Sequence, residues 1–595
     1  MKGAFPCVFG ILAACAVLVG ALLIGPSRVS WPPNRGKGGP IGVPPTQSKT
    51  SSGASSGTPE LPRILMDTRY VPPAGRTIAV GAKDDFQAAL NQARPGDLIT
   101  LEAGATFVGN FVLPRKTGSE WLVIRSSAAD ASLPPEGTRS GPSYARAMPK
   151  VLSDDSRPAI AASAGAHHYR FIGIEIGVTD AAKRNNNVVL LGTGEETSVE
   201  QLPHDLVFDR CYVHGNATGN IRRGIAVNAA SVAVIDSYIS QIHEVGADSQ
   251  AIGGWGSPGP LKIVNNYLEG SGENFMLGGA WPPLRVVTSD VEFRRNHVFK
   301  PLSWRVGDPS YAGIHWAVKN LFEFKNAQRV LVYGNVFENN WADGQNGIAV
   351  LFTPRSSDSG PQAVVQDVTF TYNIVRHASG GFNILGHDNL DPSIPGKLIQ
   401  AQRIKIKDNL LTDINTSWGG DGRFVQLLLG AGAITIDHNT AFQNGNILTF
   451  TAPGWTFPNF VYQSNITPHN DYGVIGDGTG IGSPTLDAYA PGYVFVRNII
   501  AAMPASQPYP KGNFFPRSWS KVRFANQAGG NYDLAASSPY RNAGTDGKDL
   551  GADITAINEA TTGVLAAGSG ASANQNRARY KKGSCIGSFS GRSGR

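Results

Sequence analysis

Apolar and polar residues alternate with period two over most of this chain, in short runs that keep returning to one pattern. Val330 to Asn339 reads VLVYGNVFEN, and VEFRRN, VTFTYN and IKIKDN repeat its first half. The shared form is apolar, any, apolar, any, any, Asn, then a variable residue and an apolar one. Its Asn falls at Asn266, Asn296, Asn335, Asn373, Asn409, Asn439, Asn465 and Asn498. Two earlier copies, LVFDRCYV and VAVIDSYI, put Cys211 and Ser237 in the same slot. Alternation dominated by Val, Ile and Phe predicts strands. Successive ladder positions lie 26 to 39 residues apart, with inserts of varying length. Such spacing predicts a solenoid in which each copy is one β coil and each insert a loop. A coil must bend between strands, and Asn tolerates the left-handed backbone better than most residues, so the ladder Asn is expected to make the bend itself. Stacked coils would set the amides one above another, a structural role for all eight.

Before the repeats, Ala4 to Ile24 is an uncharged apolar run behind Lys2. It is long enough to span a bilayer, which predicts a signal-anchor over 1–25 and a membrane-anchored, periplasmic or extracellular protein. The alternatives are a secreted chain or, through Leu12-Ala13-Ala14-Cys15, a lipoprotein. Residues 26–62 are rich in Pro, Gly, Ser and Thr and read as a flexible tether. From Lys83 the pattern turns helical: Asp84 is placed to cap a short helix with Phe86, Ala89, Leu90 and Ala93 on one face, closed by Pro95-Gly96-Asp97. The strand LITLEAG follows, so residues 63–149 are read as an N-terminal cap with the first coils. Residues 150–559 form one elongated β domain, and the Gly, Ser and Ala-rich stretch 560–595 reads as a disordered basic tail.

Charge is unevenly placed. The chain carries +7, but residues 1–62 contribute +4 and the tail +6, so the folded body carries −3. A basic total would suggest nucleic acid, but basicity confined to the ends does not. The four cysteines, Cys7, Cys15, Cys211 and Cys585, give no disulfide or zinc spacing.

The helix before DLITLEAG and the Asn-bearing coils resemble the right-handed parallel β-helix proteins of the pectate-lyase-like superfamily, over roughly residues 75 to 550. The resemblance implies three strands per coil, the Asn turn between the second and third, and polysaccharide bound along the first. Many members are lyases or hydrolases of acidic polysaccharide, while others only bind. In that register the first strands begin near Gly224, Gln250, Asn274, Asn320, Gly347, Phe382 and Phe424. In NLFEFKN, Phe322 and Phe324 should point inward, Glu323 and Lys325 outward.

β-Elimination of a uronate needs a base for the proton beside the carboxylate and positive charge to stabilise the enolate-like transition state. Lys325, as base, and Arg355, on the next coil, suit that chemistry; a lysine serves when desolvation or a neighbouring cation lowers its pKa. The pair is similar to the Lys-then-Arg arrangement of the β-helical alginate lyases and chondroitinase B, although Arg355 stands in FTPR rather than Leu-Arg-His-Gly. Glu323 and His387 complete the candidate catalytic set. Lys319, Asn383, Arg423, Trp316 and Trp341 are candidate substrate contacts, the tryptophans by stacking on sugar rings. Asp343 and Asp388 are candidate calcium ligands. The preceding loops also offer Glu244, Asp248, Glu273, His315 and Trp418, and long loops on a rigid scaffold commonly carry function.

Two other readings stand beside elimination. A polygalacturonase-like hydrolase would use paired acids and a Gly-His-Gly loop, where this chain has Gly386-His387-Asp388. A non-catalytic surface protein would bind glycan with the same groove. In every case the expected partner is a polysaccharide, reached by a monomer that binds no nucleic acid.

Overall fold

In the computed structural model, residues 57–280, 282–355, 363–387, 400–503 and 507–566 are described. The expected period-two segments form strands, and nearly all of them pair in parallel. Among the described residues they make three long sheets of 12, 14 and 13 strands, plus two small two-stranded ones. Each turn of the chain visits the long sheets in a fixed order. Asn320–Phe324 lies in the 12-stranded sheet, Ala327–Tyr333 in the 14-stranded sheet and Val336–Asn340 in the 13-stranded sheet. The next turn begins at Ile348–Phe352, which pairs with Asn320–Phe324 through Phe322↔Val350, Glu323↔Leu351 and Phe324↔Phe352. The fold is a right-handed parallel β-helix, the handedness that twisted strands impose on parallel crossovers. Its interior is a continuous stack of apolar side chains running from Val80 through Phe322 and Phe382 to Phe495.

The ladder forms as a chain of amides. Asn296 Oδ1 accepts from the Asn266 backbone N–H at 2.9 Å and from Asn266 Nδ2 at 3.0 Å. The same pair of bonds links Asn296 to Asn335, Asn335 to Asn373, and onward to Asn498. Ser237 joins at one end by donating its backbone N–H to Asn266 Oδ1, and Asn513 extends the other by accepting from Asn498. The ladder Asn does not itself take the left-handed backbone. That conformation belongs to the residue before it: Asn265, Arg295, Tyr372, Asp408, His438, Ser464 and Arg497 all have φ between 50° and 60°, and Gly334 has 65°. The Asn side chain points inward at 0 % exposure and satisfies the backbone of the bend that its predecessor makes. Cys211, in the same slot, is buried and its thiol is pushed up to about 12 by burial, which makes it unreactive.

The ends of the domain differ from the expectation in detail. The helix Phe86–Gln92 is present, with Phe86, Ala89, Leu90 and Ala93 in the core, but its cap is Asp85, whose side chain accepts from Ala88 N–H. Asp84 instead accepts from Gly81 N–H. The last residues of the tether and the first of the next segment lie along the outside of the 14-stranded sheet. Glu60 N–H donates to Asp367 Oδ1, Arg63 N–H to Asp290 Oδ1, and Lys262 and Arg170 hold the carbonyls of Met66 and Thr68. At the other terminus a helix, Ile554–Thr561, packs Ile554 and Ile557 against Leu410. Arg295 donates to the Ala560 carbonyl and Arg139 to that of Val564, so the first residues assigned to the tail belong to the packed domain. The apolar run 1–25 and the basic residues from 577 onward lie outside the described residues. Among those described, no helix is long and apolar enough to cross a membrane.

Candidate active site

The 12-stranded sheet carries the strands assigned to the groove, and its register stacks their polar residues. Gln250 pairs with Glu273 and Glu273 with Asn320, while Met276, Glu323, Leu351, Asn383 and Gln426 form a second row. Between the rows each strand turns two consecutive residues into the core, as with Ala251 and Ile252, Leu321 and Phe322, or Ala349 and Val350. This local break in alternation puts Asn320 and Glu323 on the same outer face three residues apart. Asn320 Nδ2 donates to Glu323 Oε2 at 3.2 Å. Phe322 and Phe324 are in the core as their positions require.

Glu323 and Lys325 are not the exposed ion pair that two such residues on a strand would ordinarily make. Glu323 is 3 % exposed, flanked in its row by Met276 and Leu351. Its Oε1 accepts from Thr353 Oγ1 at 2.8 Å, and its Oε2 stands 3.8 Å from Lys325 Nζ. Lys325 keeps part of its side chain at the surface. Room for it comes from Gly278 and Gly279, with φ of 92° and 84°. A Cβ on Gly279 would lie 2.8 Å from Lys325 Cδ, so a larger residue there would displace the amine. The Arg355 N–H donates to the Lys325 carbonyl at 3.0 Å, which places the two on consecutive coils at neighbouring positions of one surface, with Arg355 exposed.

Toward the starts of the same strands lies a charged cluster contributed by loops and strand starts. Lys319 Nζ is 2.5 Å from Asp248 Oδ1 and 3.8 Å from Glu273 Oε1. Burial opposes its charge, but the Glu273 and Asp248 carboxylates outweigh burial and raise its pKa. Glu273 is fully buried and accepts from Gln250 Nε2 at 2.7 Å. Burial, with Asp248 and Glu323 adding repulsion against the pull of Lys319 and Lys325, pushes its carboxyl up to about 7. At 0 % exposure Glu273 cannot touch a substrate; it sets the field under the lysines.

The raised pKa carries a stability consequence. A carboxyl that holds its proton more tightly when folded contributes stability that is complete below its unfolded value, near 4.5, and is lost as pH rises through about 7. Glu273→Gln should therefore flatten the pH dependence of stability, closing a gap of roughly 2–3 kcal/mol between pH 5 and pH 8. Urea midpoints at the two pH values measure it, and parallel losses in both proteins would show that Glu273 is ionised throughout.

Several expected site residues take other roles. Trp316 and Trp341 are 2 % and 5 % exposed and pack with Trp304, Val318 and Trp418 into a separate apolar cluster. His243 stacks on Trp316 at 3.8 Å, so the ring faces expected to meet sugars are covered by protein. The cluster anchors the long insert 301–319 over the strand starts. Asp343 is committed to the same loop: Oδ2 accepts from Val318 N–H at 2.9 Å and Oδ1 lies 2.6 Å from His315 Nε2. With both oxygens engaged, Asp343 acts as a loop staple rather than an open calcium ligand, and Asp388 lies outside the described residues. His387 bonds the Leu429 carbonyl through Nδ1 and packs on Trp455. Asn383 is two coils from Glu323 in the same row, about 10 Å along the stack, and Arg423, three coils on, pairs with Asp421. Arg403 sits in the 14-stranded sheet paired with Asp367, away from the groove sheet.

Lys300 was not singled out by pattern. It is fully buried, and its Nζ lies within 3.0 Å of the Gly270, Ser271 and Gly272 carbonyls and Asn274 Oδ1. It thereby fixes the corner from which Glu273 enters its strand. A lysine four residues after a ladder Asn was the available signal.

No known protein family and no curated protein matches the sequence. Solved structures with a similar coil architecture include an alginate lyase from Paenibacillus sp. str. FPU-7, at 12 % identity and TM-score 0.28, covering 74 % of this chain and 98 % of that one. The PL6 family alginate lyase AlyGC has 12 % identity and TM-score 0.42, covering 80 % and 58 %. Pectate lyase Pel9A has 13 % identity and TM-score 0.29, covering 80 % and 96 %. These likenesses are to the parallel β-helix fold.

Proposed function

We propose that this chain acts on acidic polysaccharide in the groove above the 12-stranded sheet, and that it cleaves a uronate chain by β-elimination. The observation that carries the reading is the juxtaposition of Lys325 and Arg355 on consecutive coils, with Gly278 and Gly279 giving the lysine side chain room. Unprotonated Lys325 Nζ takes the proton on the carbon next to the substrate carboxylate. The released electron pair becomes a carbon–carbon double bond, the glycosidic carbon–oxygen bond on the adjacent carbon breaks, and the leaving oxygen takes a proton from solvent to become a hydroxyl. Arg355 faces the carboxylate on which negative charge builds, where a fixed cation is worth most. Glu323, held by Thr353 and Asn320, positions the lysine. An amine that must be unprotonated to react makes the rate rise with pH.

The apolar run 1–25 and the tether 26–62 favour an extracytoplasmic location, where such polymers are met. The test is incubation of the chain with a panel of polyuronates and glycosaminoglycans, with and without chelator, following the ultraviolet absorbance of the unsaturated product. Appearance of that absorbance with at least one acidic polymer supports elimination. Retention of a polymer without any product would replace it with glycan binding.

A further inference from the structure

A second cluster lies away from the groove, where two successive coils enter the 14-stranded sheet. His167–Ile172 and His204–Asp209 pair in register with His167 opposite His204, which brings His168 opposite Asp205. Two histidines thus stack over a histidine and an aspartate. The His167 and His204 rings are nearly parallel, 4.7 Å between centroids, and His168 meets His204 edge-on at 5.9 Å. His167 and His168 share a hydrogen bond between their Nδ1 atoms at 2.8 Å, and His204 Nδ1 lies 2.7 Å from Asp205 Oδ2. One ligand atom each from His168, His204 and Asp205 fall within 4.8 Å of one another, and all three residues are half-buried.

His168 and Asp205 hold left-handed backbone, φ 58° and 52°, at a corner where later coils also do so. That corner is part of the solenoid; the concentration of imidazole on it is particular to these two coils. Neighbouring coils carry Trp121 before and Ser231 after in the same column. Three imidazoles packed together with one carboxylate are poorly explained by core packing, because none of the four is fully buried.

We propose that His168, His204 and Asp205 bind one divalent transition-metal ion of the zinc or nickel type, with His167 orienting His168 through their shared Nδ1 bond. Mixed imidazole and carboxylate donors suit these ions, and a hydrogen-bonded partner behind a ligating histidine is the usual way of fixing its ring. Since its ligands come from successive coils, the ion would clip them together. The proposal does not depend on the reaction assigned to the groove.

The experiment is calorimetric titration of the full chain, free of any polyhistidine tag and stripped with chelator, with zinc chloride and separately with nickel chloride. The expected result is one equivalent bound, a rise in Tm on binding, and no comparable heat with calcium or magnesium. His168→Ala with His204→Ala should weaken binding by more than about 100-fold, beyond the cost of losing an outer partner alone. Asp205→Asn, which preserves shape, gives a second test should the double variant fail to fold, and should weaken binding by at least about tenfold. Absence of stoichiometric binding, or binding that either folded variant retains at full strength, would overturn the proposal.

Discussion

Replacing Lys325 with alanine is expected to lower turnover of a polyuronate by about 10²–10⁴-fold, the range that a positioned general base contributes. Binding should fall far less, because Arg355 and the rest of the groove remain. Lys325→Arg sharpens the test: it keeps a cation at the position but cannot give up its proton, so a charge-only role predicts retained activity and a base role predicts its loss. Glu323→Gln addresses the positioning residue. It keeps the shape and one acceptor oxygen of the pair that Thr353 and Asn320 donate to, and removes the charge 3.8 Å from the amine. It should lower turnover more than the affinity for polymer. A Lys325→Ala protein that still turns over within tenfold of wild type would remove this lysine from the chemistry.

The second large effect is on stability. Asn373→Leu should destabilise the domain by about 3–5 kcal/mol in urea unfolding, since several buried groups lose their partners at once. Asn373 Oδ1 accepts from Asn335 N–H and Nδ2, and its own Nδ2 donates to the Val332 and Thr371 carbonyls. Leucine fills similar volume but satisfies none of these. Exchanging Tyr372, which bears the left-handed backbone at φ 56°, for glycine relieves the backbone but removes a ring packed against Leu410 and Ile557, so it should cost less than Asn373→Leu. A small effect at Asn373 together with a large loss on Tyr372→Gly would reverse the division of labour in the bend.

That division marks the limit of what the pattern conveyed. Alternation and the recurring Asn identified the coils, the sheet that each segment joins, and the inward and outward faces of NLFEFKN, because period and register follow directly from residue spacing. The residue that bends was not legible: Arg, Tyr, Asp, His and Ser all occupy it, so composition carries no signal, whereas the conserved geometry is enforced by the neighbour's amide. Trp316 and Trp341 looked like sugar platforms because a loop tryptophan and a core tryptophan read alike until their contacts are known. Their burial with Trp304 and Trp418 comes from segments more than 100 residues apart, Trp304 and Trp418 being 114 positions distant in the chain. The same holds for Lys319, Asp248 and Glu273. Each was visible as a charged loop residue, but only the stacking of coils makes them a single buried cluster with Lys325 at its edge.

Elimination and hydrolysis in the groove differ in whether water is added across the broken glycosidic bond. The most direct measurement is the mass of fragments released from a polyuronate by the purified chain. Elimination predicts fragments one water lighter than hydrolysis products, with the double bond at the new non-reducing end, and their loss in Lys325→Ala. Fragments that carry the added water, or an intact polymer that stays bound, would contradict it.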